Sequence, residues 1–318
     1  MRRGRRSRSL PDGTLVAAAL DAMDADSLRE LIREMLPWLD GQTHSRLTGE
    51  IIDRAARTAD SDWAPDAPAD DVVAEMAEFA KEARHAGYAD PSEVDAYLRQ
   101  GMHAFLAKDY RTAARVFHDL VIPISEAEID LGQHELVDEV LSVDLAECAA
   151  QYVAAVYMIS TQSQRAGAVK TAIDDMFAVG YFRRPLHQLE RVAIEPLPDF
   201  NEFLGSWNDL VSDLAHAQLM SEWDTDIDHW RREVTQRLHG TDGLAAIARS
   251  TKRAGDFRAW CRAVVETQDW KAALTAFDEA ATSVSAAPVA IADFLDGAAL
   301  AAQALARIPR GGTRSRLV

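Results

Sequence analysis

At two places in this chain, amphipathic helical patterns are separated by only two residues, Lys108-Asp109 and Gln268-Asp269. Helices joined by so short a connection must fold back on one another, so each site predicts an antiparallel helix hairpin. Helical spacing of Ala, Leu and Val governs the rest of the chain, and no run of period-two alternation competes with it. With 16 glycines and 11 prolines in 318 residues, breakers are sparse. The expected fold class is all-α, with hairpins stacked in series as a solenoid.

Residues 1–9 and 307–318 read as basic disordered tails, and 10–60 as an N-terminal helical segment forming a small bundle. Within it, Val16, Ala19 and Leu20 predict a short helix. Leu28, Leu31, Ile32, Met35 and Leu36 share one face of a helix that Asp26 or Ser27 caps and Pro37 ends. Leu47, Ile51, Ile52 and Ala55 predict a third helix. Asp, Ala, Pro65 and Pro68, with Trp63 among them, mark 61–71 as a linker. Helical patterning then continues over 72–306. Gly87 stops one helix and Asp90-Pro91-Ser92 starts the next. The run 144–158 is apolar around most of its circumference, which places it centrally. Further helices are expected at 163–178, 184–193, 199–219, 225–239, 242–253, 255–267, 269–284 and 287–306.

The two hairpins share a residue pattern. In 94–125, Tyr97 and Gly101 precede the Asp109-Tyr110 turn, and Ala113, Phe117 and Leu120 follow it. Near the C-terminal end, Phe257, Trp260, Cys261 and Val264 precede Asp269-Trp270, and Ala273, Phe277 and Ala280 follow at the same offsets. Small residues let the two helices approach closely, and the phenylalanines fill the groove to the next hairpin. This pattern resembles the tetratricopeptide repeat. The resemblance covers about a fifth of the chain and is to a degenerate helical-repeat protein. Gln100 and Ala104 replace the family's leucine and aromatic, and Ser285 stands where a unit ends in proline. It implies a TPR-like α-solenoid over 72–306 whose concave groove holds a peptide or helix of another protein. Aromatics and arginines are frequent anchors for such partners. Trp207, Trp223, Trp230, Arg183, Arg184 and Arg231 are therefore candidate contacts, with Phe200, Phe203 and Arg232 nearby. His103 and His118, one on each helix of the first hairpin, are placed to line the groove.

Few motifs carry chemistry. His134-Glu135-Leu136-Val137-Asp138 approaches a zinc-protease helix but has aspartate at the second histidine position. With Glu126, Glu128, Asp130, Glu139 and Asp144 it makes segment 126–147 the alternative centre of function, as a helical metal-binding protein or enzyme. Glu82 and His85 have Glu-x-x-His spacing, and Asp226 and His229 imitate it. A di-iron site needs two full copies and two more glutamates, so His85 is read as favouring the C-terminal end of its helix. Phosphate-cradling glycine loops and nucleophile elbows are absent from the sequence. No cofactor is expected, and the protein is expected not to be an enzyme.

The net charge of -17 is unevenly distributed. Five arginines lie in residues 1–9 and four in 307–318, where there are no acids. Taking these nine from the 34 basic residues leaves 25 against 51 acids, a charge of -26 over residues 10–306. Such a body repels phosphate backbones, which confines any nucleic-acid contact to the arginine-rich ends. Cys148 and Cys261 form no metal or disulfide motif and read as buried thiols. The apolar run after Arg5-Arg6 is too short for export, and no uninterrupted apolar stretch matches a membrane span. These features predict a cytoplasmic scaffold or adaptor whose partner is another protein, with no membrane association.

Overall fold

Aspartate, the residue that makes the chain acidic, also starts many of its helices. Asp24, Asp40, Asp90, Asp109, Asp144 and Asp269 each accept a backbone N–H one to three residues into the helix that follows. These contacts satisfy donors that helix geometry leaves unpaired. Thr225 and Asp228 cap another helix reciprocally.

The computed structural model describes residues 13–58, 63–132, 140–179, 182–217, 224–284 and 288–307. Among the described residues the chain is all-helical. The elements are α1 (Gly13–Asp21), α2 (Ala25–Met35) followed by a 3-10 turn (Leu36–Trp38), α3 (Gly41–Arg57), α4 (Asp70–Ala86), α5 (Pro91–Leu106), α6 (Tyr110–Ser125) and α7 (Leu145–Ile159). They continue as α8 (Arg165–Asp175), α9 (Pro185–Val192), α10 (Phe200–Ala217), α11 (Asp226–Thr251), α12 (Ala254–Glu266), α13 (Trp270–Ser283) and α14 (Pro288–Arg307). Gly240 breaks α11 with φ 59° and ψ -149°. The sequence placed that break between 239 and 242. Sequence neighbours pack together from α5 to α8 and from α10 to α14, and α4 also reaches α6 while α7 reaches α9.

The two predicted hairpins form at α5–α6 and α12–α13. Lys108 (φ 64°) and Gln268 (φ 60°) adopt the left-handed conformation immediately before the capping aspartate of each second helix. Gly101 is required where α5 meets α6. A Cβ there would lie 2.9 Å from Val116 Cγ1 and 3.0 Å from Phe117 Cε1. Ala113 and Phe117 are fully buried, and Tyr110 packs its edge on Phe105 at 5.5 Å while donating to Glu195. Tyr97 stacks against Phe79 of α4 at 4.7 Å. In the second hairpin Trp260 and Ala273 are buried, whereas Trp270 and Phe277 are half-buried.

Buried apolar side chains form two clusters. The larger runs from Met76 to Val234 and includes α7, which is buried on nearly every side as its sequence predicts. The smaller runs from Leu244 to Ala301. Both lie within the 72–306 span that the sequence presents as one helical pattern, and the boundary between them falls at the α11 break. From Leu15 to Thr58, by contrast, no residue is buried, so the N-terminal helices enclose no core of their own. Val289–Arg307 is the one described helix long and apolar enough to cross a membrane. It has a mean hydropathy of 1.5, is 22% buried and is interrupted by Asp293 and Asp296.

Candidate partner-binding surface

Three of the predicted anchors lie inside the fold. Trp207 is fully buried in an aromatic row, with Phe203 at 5.8 Å and Trp230 at 5.7 Å, and Tyr157 extends the row from Phe203 at 4.9 Å. Trp230 is 4% exposed and donates its indole N–H to the Phe182 carbonyl. These rings are core, because burying so much apolar surface outweighs leaving it in water. Trp223 lies outside the described residues.

Arg231 is buried as well. It belongs to an ionic network that joins the first half of α11 to α12. The Asp256 carboxylate, whose side chain is 0% exposed, accepts from Arg232 Nε at 2.6 Å, Arg231 at 3.2 Å and Thr251 Oγ1 at 2.6 Å. Asp224 pairs bidentately with Arg232 at 2.8 Å, and Arg253 clamps Asp228 at 2.6 and 3.0 Å. Burial alone would raise the Asp228 pKa, but the hydrogen bonds from Arg253 and the Thr225 N–H hold it below its ordinary value. The network connects the two cores and leaves Arg231 unable to meet a partner.

Arg183 and Arg184 are exposed just before α9, as a surface role requires. Arg184 lies 3.9 Å from Glu233, a buried carboxylate of α11 that accepts the Leu186 and His187 N–H groups at the start of α9. His103 is half-buried on α5, and burial with the nearby Arg99 charge lowers its pKa. His118 is exposed on α6, with Nδ1 3.0 Å from Asp119. The fold does not gather these residues with Arg183 and Arg184 into one lining.

Residues 133–139, which contain the zinc-protease-like motif, lie outside the described residues. Four of the described acids of segment 126–147 have structural partners. Asp144 caps α7, Glu147 pairs with Arg191 at 2.6 Å, Glu128 approaches Arg84 at 3.5 Å and the Asp130 carboxylate accepts the Gly132 N–H at 2.7 Å. Among the described residues, no group of three or more His, Cys, Asp or Glu side chains is placed to hold a metal ion.

The N-terminal helices carry an uncovered apolar surface. On α2 and its 3-10 turn, Ile32, Met35 and Trp38 are 42%, 43% and 78% exposed, and Leu15, Val16 and Leu20 of α1 are also exposed. The segment attaches to the body through polar groups of α3. Arg46 donates to the Leu141 carbonyl, and Arg57 donates to the Val192 carbonyl at 2.8 Å while pairing with Asp53. These contacts fix α3 and leave the α2 stripe available. The sequence had identified that stripe as one helix face without indicating whether another part of the chain covers it. Charged side chains, Arg29, Glu30, Arg33 and Glu34, border these exposed apolar residues. No family model, curated protein or solved structure matches the chain.

Proposed function

We propose that this chain is a non-enzymatic, cytoplasmic scaffold built on a degenerate, TPR-like α-solenoid. Hairpins α5–α6 and α12–α13 supply its clearest repeat units, and another protein docks an amphipathic helix on the α2 stripe. The observation that carries this reading is the exposure of Ile32, Met35 and Trp38 on α2 and its 3-10 turn, neither of which buries a side chain. The docking site is thus assigned to the N-terminal helices instead of the groove anchors expected from sequence, because Trp207, Trp230 and Arg231 are interior.

The test is affinity purification of the tagged full chain from its native cells at two salt concentrations. Wild type is compared with Ile32→Glu/Trp38→Ala and with a control, Thr275→Glu, on the remote surface of α13. A stoichiometric protein retained by wild type and the control but lost from the double variant supports the reading. Equal recovery from all three, or no protein partner in any, refutes it.

A further inference from the structure

A helix at the end of a stack is expected to carry a polar outer face, because no further repeat packs on it. Helix α14 has a largely apolar outer face among its described residues. Its inner face packs Ala290, Phe294, Ala298 and Ala301 into the second core, and the Phe277 ring lies directly under Gly297. Its outer face exposes Val289, Leu295 and Leu300 at 73%, 54% and 67%, with Ala292, Ala299, Ala302, Ala306 and the uncharged polar Gln303 between and beyond them.

The charges on this face are arranged by sign. Asp293 and Asp296 are in the first half, Arg307 is at the end, and 297–306 carries no charged residue. Asp293 is already engaged by Arg258 at 3.0 Å. Asp296 and Arg307 have no ion-pair partner among the described residues. They stand eleven positions apart, about three helical turns, and so lie near the same line of the helix with Leu300 between them. A face with an acid at one end, a base at the other and uncharged side chains, chiefly apolar, between is self-complementary when two copies run antiparallel. Each Asp296 then meets the Arg307 of the other copy, and the Leu300 side chains meet near the two-fold axis.

We propose that α14 is a homodimerisation surface, isologous in the sense that the same patch serves both copies. A lipid surface fits less well. Asp296 would have to leave water without a partner, and the -26 body charge opposes an anionic bilayer. One helix face is smaller than the roughly 800 Å² per partner of a standard stable interface, so the dimer is concentration-dependent.

Sedimentation equilibrium over a concentration series tests this on the full chain. The expected result is a mass rising from 35.0 kDa toward twice that value. Leu300→Glu, at a solvent-exposed site, should weaken the dissociation constant about tenfold or more with an unchanged melting temperature. Asp296→Arg and Arg307→Asp should each weaken association, and the double exchange should restore it to within about threefold of wild type. A wild-type protein that stays at 35.0 kDa throughout overturns the proposal. So does a dimer that Leu300→Glu leaves intact, or a double exchange no better than either single one. If wild type stays monomeric and binds phosphatidylserine vesicles, and Leu300→Glu abolishes that binding, the face belongs to a lipid surface and the dimer proposal fails.

Discussion

Hairpins α5–α6 and α12–α13 share a turn but are held in the protein by different means. Each first helix carries a buried aspartate near its start. Asp95 of α5 reaches forward, accepting the Ser142 and Val143 N–H groups just before α7, with Arg99 close by. Asp256 of α12 reaches backward to Arg231 and Arg232 of α11. The interior of each hairpin differs as well. Where Gly101 lets α5 approach Phe117 within its own hairpin, the corresponding position of α12 is the buried Cys261, and the close glycine contact is made by Gly297 of the following helix against Phe277. Repeating the turn therefore repeats the local reversal of the chain, while the contacts to neighbouring helices can be reassigned.

The largest predicted effect comes from breaking the backward anchor. Asp256→Ala leaves Arg231 and Arg232 buried with a counter-charge missing, which should cost roughly 3–5 kcal/mol in urea unfolding. Asp95→Ala removes hydrogen bonds to main-chain donors and should cost about 1–3 kcal/mol. If the two losses proved equal, the distinction between an ionic and a hydrogen-bonded anchor would fail.

Acid should act on the same junction. Burial pushes the Asp224 and Asp228 pKa values up, but the hydrogen bonds and charges of Arg232 and Arg253 keep both below the usual 3.8. Because the folded-state values are depressed, their stabilisation is complete above the unfolded pKa. It is lost as pH falls through the folded values. The melting temperature should thus decline as pH falls below about 4, and Asp228→Asn should flatten that decline.

Much of the fold could be read in the sequence because it depends on neighbours. The aspartate caps, Gly87, the break near Gly240 and the all-round apolar run of α7 each specify structure from a few adjacent residues. The candidate site was less accessible. Trp207 and Trp230 have the residue type of a binding anchor and the spacing of a core, and only the packing of α7, α10 and α11 selects the core. Arg231 and Arg232 look like a basic surface pair until Asp256, more than twenty positions later, is brought beneath them. Periodicity likewise identified the α2 apolar face without showing that it remains uncovered, and placed α14 only as a helix.

Exchanging the hairpin interiors gives a smaller effect. Gly101→Cys forces a side chain against Val116 and Phe117 and should cost about 1–3 kcal/mol. Cys261→Gly removes a buried side chain and loosens a helix, for a loss of roughly 1–3 kcal/mol. Thermal unfolding of both variants is the measurement. If either exchange were neutral, the two interiors would be interchangeable. Burial pushes the Cys261 thiol up to about 12, so wild type should also resist thiol reagents at neutral pH until it unfolds.

The smallest effect tests what the hairpins have in common. Lys108 and Gln268 both occupy left-handed backbone that side chains disfavour and glycine accepts. Gln268→Gly should therefore stabilise by about 0.5–1 kcal/mol, the relieved strain exceeding glycine's added freedom in the unfolded chain. Lys108→Gly relieves the same strain but also gives up the ion pair between Lys108 and Glu195 at 3.0 Å. Lys108 is more than half exposed, so that pair is worth no more than about 1 kcal/mol. The Lys108 variant should gain less than the Gln268 variant, and high salt should narrow the difference by screening the pair in wild type. A Gln268→Gly protein that melts lower than wild type would show that the second turn is held in place by its side chain, and the equivalence of the two turns would be lost.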